Sequence, residues 1–275
     1  INLVAVGADW TSNENLLGYP DALKGNAYRK PDNGALDLIL KAVNDPGHPY
    51  FLILDEMNLS HVERYFADFL SAIESGEPIH LHDDTDEDWN GVPAKLKLPK
   101  NLFVIGTVNV DETTYMFSPK VLDRATVIEF RVTADEISDF LDSPKRPGLD
   151  NLAGKGATYA KSFVDSAMQK DVELIGETKR QVSGILNQLF PELQKCGAEF
   201  GYRTAHEICR FIYFHQKFSE QSLGSAIDAA IMQKILPKLH GSRKKLGPVL
   251  ETLLESCVES KGEEAKTVKY KFESS

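Results

Sequence analysis

The chain has 275 residues, of which 42% are hydrophobic and 26% charged, and its formal net charge is −10. These values are typical of a globular protein with one large domain or two smaller ones, and they exclude a surface that is basic throughout. Three cysteines are too few and too scattered for a disulfide framework or a zinc site, and no apolar run is long enough to span a membrane. We therefore predict a cytoplasmic protein that has no membrane partner.

Short apolar runs predict strands in the first half of the chain. These runs are LVAV (3–6), FLIL (51–54), LFVIGTV (102–108) and TVIEF (126–130). Segments at 34–43 and 62–75 have apolar residues at helical spacing, and Gly76 ends the second one. Strands that alternate with helices predict an α/β fold with a mostly parallel sheet. The acidic segment 81–93 predicts a loop or a small hairpin insertion.

Helical periodicity replaces these runs beyond about residue 133. Helices are predicted at 133–142, 157–170, 175–190, 203–217, 222–239 and 245–258. Alternating apolar residues at 268–272 indicate a terminal edge strand. The predicted organisation is an α/β core at 1–132, an all-α domain at 133–258 and a tail at 259–275.

Polar side chains follow two of the predicted strands. Asp55 and Glu56 end the second strand, and Asn109 follows the third. In a parallel sheet these positions meet at the carboxyl edge, where ligands bind. Asp55 could hold Mg²⁺ through water, Glu56 could polarise an attacking water, and Asn109 could position that water or a terminal phosphate. This arrangement predicts a nucleotide hydrolase site, and the alternative is a strand that ends in a solvated acidic loop.

Four segments in a fixed order carry a resemblance to a known family. They are WTSNENLLGY (10–19), LDEMNLSHVERYFADFLSAIESGE (54–77), TVNVDETTYMFSPKVLDRA (107–125) and MQKILPKLHGS (232–242). Together with GYRTAHEICRF (201–211), they resemble the Walker B, sensor 1, arginine-finger and sensor 2 order of AAA+ ATPases. The closer resemblance is to the McrB-type branch of the MoxR/McrB/midasin group, which includes GTP-driven motor subunits of modification-dependent restriction systems.

The resemblance implies an AAA+ parallel-sheet core followed by a helical lid, which together hydrolyse ATP or GTP with Mg²⁺. Arg124 would be the arginine finger that reaches a neighbouring subunit, and Arg203 would be the sensor 2 arginine that closes over the nucleotide. The assembly implied is a homo-oligomeric ring, commonly a hexamer. It would drive a McrC-like endonuclease subunit and thereby act on DNA indirectly.

One motif of the family is absent from the sequence, which contains no GxxxxGK[ST]. The resemblance would make LVAV the second strand, so we expect the first strand and its phosphate-binding loop to lie upstream of Ile1. The missing strand would separate the strands at 102–108 and 126–130, and this chain alone would be inactive. The alternatives are a parent protein that naturally lacks the loop and a non-catalytic AAA+-like regulatory or scaffold subunit.

Each candidate outside the strand ends also has a purely structural interpretation. Arg124 could cap a strand or pair with Asp123, Arg203 could be a surface arginine, and Asp111 could cap a turn. For two further groups of residues, a solvated surface is the favoured interpretation over a metal site or a nucleic-acid site. They are the group His80, His82, Asp83 and Asp84, and the basic run Lys234, Lys238, Arg243, Lys244 and Lys245.

Overall fold

The computed structural model describes residues 1–109, 114–144 and 154–258, with side chains as far as residue 253. Contacts between residues group the chain into two compact units. The first, which we call the sheet unit, contains Ile1–Arg124 and Phe130–Lys170. The second, the helical unit, contains Ala125–Glu129 and the described residues from Asp171 onward. The predicted domain division at 132/133 stays a prediction, and the expectations for Asp111 and for 268–272 lie outside the described residues.

The secondary structure of the described residues consists of short strands followed by longer helices. The strands are β1 (Asn2–Ala5), β2 (Tyr19–Pro20), β3 (Tyr28–Arg29), β4 (Tyr50–Asp55), β5 (Ile79–His80), β6 (Lys95–Leu96) and β7 (Leu102–Gly106). The helices are α1 (Glu14–Leu17), α2 (Ala35–Asn44), α3 (Val62–Tyr65), α4 (Ala67–Ser75), α5 (Pro119–Leu122), α6 (Ala134–Asp142), α7 (Ala160–Met168), α8 (Gly176–Lys195), α9 (Tyr202–Phe218), α10 (Leu223–Lys234) and α11 (Arg243–Val258). Single 3-10 turns lie at Met57–Leu59, Ala157–Tyr159 and Leu236–Lys238.

Three parallel strands in the order β1-β4-β7 form the main sheet, with β4 at its centre. Leu52 and Leu54 of β4 are fully buried, as expected for an apolar run in the middle of a covered parallel sheet. The register pairs Ala5 with Asp55 and Leu54 with Gly106, so the carboxyl ends of all three strands lie at one edge. The structure confirms a mixed α/β fold with a parallel sheet and the first three predicted strands.

The fourth predicted strand, at 126–130, is wrong. Residues 125–130 belong to no strand, and Ile128 and Phe130 are 65% and 94% exposed. The Val127 N–H donates to the Gln233 carbonyl at 3.1 Å instead of to a strand. A strand requires a partner for its backbone groups, and within the described residues none lies beside this segment.

Helices α2, α3 and α4 pack their apolar residues into the core around the sheet. Leu36 and Ile39 of α2 are fully buried. The helix predicted at 62–75 is interrupted at Phe66, which has φ −109° and separates α3 from α4. Gly76 ends α4 in the left-handed conformation with φ 72°, as predicted for a glycine helix stop. Ile73 is 52% exposed, so the apolar face predicted for this segment is only partly buried.

The acidic segment 81–93 belongs to a small hairpin, which confirms one of the two predicted alternatives. Strands β5 and β6 pair antiparallel, and Trp89 and Val92 form a further bridge. His82 is only 5% exposed, and its ring stacks on Trp89 with 4.4 Å between the ring centroids. The expectation that His82 lies on a solvated face is therefore wrong, because the indole of Trp89 covers it.

The helical unit confirms the predicted helices beyond residue 175, namely α8 to α11. Its core includes Leu189 and Leu193 of α8 and Ile208 and Ile212 of α9, which are at most 2% exposed. The predicted helices at 133–142 and 157–170 are also present as α6 and α7, within the sheet unit. None of the described helices combines the length and the apolar character that a bilayer span requires.

A buried lysine anchors residues 125–129 to the helical unit. Lys234 is 4% exposed, and its ammonium group donates to the Ala125 carbonyl at 2.6 Å and pairs with the Glu207 carboxylate. The interpretation of the basic run as helix surface is therefore wrong for Lys234, whereas Lys244 and Lys245 are exposed. An isolated buried ammonium group is costly, so Lys234 depends on both of these oxygen partners.

Candidate functional site

The candidate site lies where β4 and β7 end. Asp55 is the last residue of β4, and Glu56 follows it. Because the register pairs Leu54 with Gly106, the next residue of the neighbouring strand, Thr107, lies opposite Asp55. The sequence-based expectation that the two acids and the third strand end share one edge of the sheet agrees with this register. Their catalytic and metal-binding roles stay predictions.

Glu56 has a left-handed backbone conformation, with φ 52° and ψ 47°. Residues other than glycine rarely adopt this conformation, and functional sites are where it tends to persist. It turns the chain directly from β4 into the 3-10 turn Met57–Leu59. The Glu56 side chain is exposed as a result, whereas Met57 is buried.

Close packing between Gly106 and Met57 holds this turn against β7. A Cβ atom at Gly106 would lie 2.4 Å from Met57 Sδ and 3.1 Å from Met57 Cβ, so no larger residue fits without displacing Met57. The Met57 N–H also donates to the Thr107 carbonyl at 2.8 Å. The Met57 carbonyl accepts a 2.8 Å hydrogen bond from the buried hydroxyl of Tyr65. The turn that presents Glu56 is therefore fixed from two sides.

Thr107 links the two acids and is a residue that the sequence analysis did not identify. Its hydroxyl donates to Asp55 Oδ1 at 2.6 Å and accepts from the Glu56 N–H at 2.9 Å. One signal in the sequence could have identified Thr107. It is a hydroxyl residue directly after an apolar strand that neighbours the strand carrying the acids. Within the described residues, no hydrogen bond occupies Asp55 Oδ2.

Asn109 lies near Glu56, with its side-chain nitrogen 3.4 Å from Glu56 Oε1. Its backbone carbonyl accepts hydrogen bonds from Asn58 Nδ2 at 2.9 Å and from the Thr114 hydroxyl at 2.8 Å. Asn58 is 3% exposed and was also missed by the sequence analysis, since nothing local marks it as buried. The structure thus brings Asp55, Glu56 and Asn109 together and holds Asn109 through Asn58.

Arg124 lies after α5 and interacts with the sheet unit itself. Its guanidinium group forms an ion pair with Glu74 of α4 and donates to the Lys120 carbonyl at 2.6 Å. The Arg124 side chain is only 16% exposed. To reach a neighbouring subunit it would have to leave Glu74, so its role as an arginine finger stays a prediction.

Arg203 lies in the first turn of α9 in the helical unit, where it is exposed. The neighbouring Thr204 is buried and accepts a 3.0 Å hydrogen bond from Lys238. A cation at a helix N-terminus is electrostatically unfavourable. Its predicted contact with a nucleotide stays a prediction.

Among the described residues, no group of three or more His, Cys, Asp or Glu side chains is placed to hold a metal ion. The carboxyl edge of the sheet does offer the donor type that Mg²⁺ prefers, because no described residue forms a hydrogen bond with Asp55 Oδ2. Mg²⁺ retains several waters and needs only one or two carboxylates when phosphate oxygens complete its shell. The residues present therefore fit Mg²⁺ only as a water-bridged ion that accompanies a phosphate ligand.

The fold and site define a mixed α/β protein that carries an acidic polar site at the carboxyl edge of a parallel sheet. Residues 151–275 match a family described as a domain of unknown function (DUF8727). The chain is 25% identical over 191 residues to the type IV methyl-directed restriction enzyme EcoKMcrB subunit of Escherichia coli strain K12. The aligned region covers 66% of the chain and 37% of the relative, so the chain spans little more than a third of that protein. This similarity supports a distant McrB-like relationship.

Proposed function

We propose that the chain is part of an AAA+ motor subunit of the McrB type, which hydrolyses ATP or GTP in an oligomeric ring. The observation that carries this proposal is the meeting of Asp55, Glu56 and Asn109 at the carboxyl edge of the sheet. The similarity to the EcoKMcrB subunit supports it independently. As the resemblance of the sequence to the McrB-type branch implies, the proposed ring would be a hexamer that drives a McrC-like endonuclease subunit against DNA.

We assign each residue a role in this proposed reaction. Asp55 would hold Mg²⁺ through water, and the ion would neutralise charge on the phosphates. Glu56 is exposed and accepts the proton of an attacking water. Asn109, 3.4 Å from Glu56 Oε1, orients that water or the terminal phosphate. Arg203, as the sequence resemblance implies, would contact the nucleotide.

Arg124 acts in trans in this proposal. A guanidinium group that reaches the phosphate of a neighbouring subunit stabilises the charge of the transition state. Arg124 must exchange Glu74 for that phosphate when the ring assembles. The oligomer therefore completes the site, and an isolated subunit would be nearly inactive.

The second candidate function is a non-catalytic regulatory or scaffold subunit. The ion pair between Arg124 and Glu74 within one chain favours it, because a structural arginine needs no other partner. The two candidates differ in whether the full-length protein turns over nucleotide.

The test is phosphate release from ATP and GTP by the full-length protein with and without Mg²⁺. Glu56→Gln should slow hydrolysis about 100-fold and leave nucleotide binding intact, as expected when a general base is lost. Asp55→Asn should weaken the Mg²⁺-dependent part of nucleotide binding. Glu87→Gln, an exposed acid in the hairpin, is the matched control and should behave as the wild type. Turnover that survives both site substitutions would favour the scaffold.

The trans role of Arg124 is tested by mixing two inactive full-length variants, Arg124→Ala and Glu56→Gln. In a mixed ring, some interfaces combine an intact Glu56 with an intact Arg124 from the neighbour, so partial activity should return. Mixtures that stay inactive, although mass measurements show subunit exchange, would remove Arg124 from the site.

A further inference from the structure

The backbone of Thr107 is fixed more firmly than that of an ordinary loop residue. Its N–H donates to the Leu54 carbonyl at 3.0 Å, and its own carbonyl accepts from the Met57 N–H at 2.8 Å. These bonds continue the pairing of β4 with β7 one residue beyond the end of β7. The hydroxyl of Thr107 is therefore presented to Asp55 and Glu56 from a rigid position.

The direction of the hydrogen bonds around the hydroxyl is also fixed. The Glu56 N–H can only donate, so Thr107 Oγ1 accepts there at 2.9 Å. The single hydroxyl proton remains for Asp55 Oδ1, 2.6 Å away, which as a carboxylate can only accept. The result is a directed chain from the Glu56 amide through the hydroxyl to the Asp55 carboxylate, and its last bond is charge-assisted.

We propose that Thr107 is a positioning residue that sets the orientation of both acids at once. By occupying Asp55 Oδ1, it leaves Oδ2 as the oxygen that would hold Mg²⁺ through water. By accepting from the Glu56 N–H, it holds the left-handed backbone from which the Glu56 carboxylate extends. This inference rests on the proposed nucleotide hydrolysis. It names Thr107 as the residue that couples Asp55, the proposed holder of Mg²⁺, to Glu56, the proposed base.

The test compares Thr107→Val with Thr107→Ser in the full-length protein. Valine keeps the volume but removes the hydroxyl, whereas serine keeps the hydroxyl. Valine should weaken the binding of Mn²⁺ in the presence of a non-hydrolysable nucleotide about ten-fold, as measured by electron paramagnetic resonance, and should lower kcat at least ten-fold. Serine should restore both quantities to within about three-fold of wild type.

Thr252→Val is the matched control, because it removes a threonine hydroxyl that lies outside the candidate site and donates to the Pro248 carbonyl in α11. It should change neither Mn²⁺ binding nor kcat. Wild-type turnover together with unchanged Mn²⁺ binding in Thr107→Val would overturn this inference alone, even if the variant were less stable. A wild-type protein that neither binds the Mn²⁺–nucleotide complex nor hydrolyses nucleotide would overturn the proposed function, and the inference with it.

Discussion

The two units each contain a cluster of charged and polar groups, and the clusters differ in exposure. In the sheet unit, Glu56, Thr107 and Asn109 are exposed around the half-buried Asp55. In the helical unit, Lys234 is 4% exposed and is surrounded by the Ala125 carbonyl and Glu207. The first cluster keeps an available carboxylate oxygen, whereas the second uses its charge on internal partners.

On the proposed function, this difference separates groups that would meet a ligand from groups that hold the chain together. Exposed carboxylates cost little to fold and can exchange water for phosphate or metal. A buried ammonium group is tolerated only with its partners in place, so removing the contact costs stability. Substitutions in the helical cluster should therefore change unfolding, and substitutions at the strand ends should change activity.

The largest expected effect on stability is at Lys234. Lys234→Met should destabilise the protein by about 2.5 kcal/mol, because the Ala125 carbonyl and the partly exposed Glu207 carboxylate lose their partner. Urea unfolding of the full-length protein measures the change. Lys195→Met, which removes a lysine exposed in its pair with Glu192, is the control and should change stability by less than about 0.5 kcal/mol. Equal effects of the two substitutions would contradict a structural role for Lys234.

Asn58 is a buried polar residue at the candidate site, so its substitution should change both stability and activity. Asn58→Ala should cost about 2 kcal/mol, since a buried side chain loses its 2.9 Å hydrogen bond to the Asn109 carbonyl. It should also reduce kcat by releasing Asn109. Asn44→Ala removes an exposed hydrogen bond to Leu40 and is the control for thermal unfolding and turnover. A stability loss without any change in kcat would assign Asn58 to folding alone.

Substitution of Gly106 tests whether its close packing against Met57 holds the turn that follows β4. Gly106→Ala should destabilise the protein by about 1.5 kcal/mol, because the new methyl group meets Met57, and should lower kcat as Glu56 shifts. Gly47→Ala has open space around its Cβ position and should be nearly neutral in both measurements. An unchanged kcat in Gly106→Ala would show that the position of Glu56 does not depend on Met57.

The smallest expected effect is at Glu63 and depends on pH. Burial alone would raise the pKa of Glu63, but hydrogen bonding by Ser118, including its N–H at 2.9 Å, brings the pKa below its ordinary value. A lowered pKa in the folded state means that the charged form adds stability at neutral pH and that this contribution disappears as the pH falls through that pKa. Glu63→Gln should cost about 0.5 kcal/mol at pH 7 and less at an acidic pH at which the carboxylate takes up a proton. Unfolding curves at both pH values measure this, and a constant difference would contradict it.

Local pattern was sufficient to predict most of the fold. The apolar runs of β1, β4 and β7 and the periodicity of α8 to α11 determine those elements, because burial dominates their stability. The same logic placed Asp55, Glu56 and Asn109 at one edge of the sheet. The strand predicted at 126–130 failed because pairing depends on a neighbour and not only on apolar residues.

What the sequence could not predict was the set of long-range partners. Thr107 and Asp55 are 52 positions apart, and Asn58 and Asn109 are 51 apart. Glu74 as the partner of Arg124, and Trp89 as the cover of His82, likewise depend on side-chain packing that periodicity does not encode. Strand register could have suggested Thr107, whereas the burial of Asn58 had no local signal.

The left-handed backbone at Glu56 would set the proposed activity against stability at a single position. A side chain other than glycine in this conformation costs on the order of 1 kcal/mol, so Glu56→Gly would make the protein more stable while removing its carboxylate. A chain under selection for folding alone would gain by replacing this glutamate with glycine or asparagine. Libraries sorted only for expression should therefore enrich those residues at position 56, and libraries sorted for turnover should retain glutamate.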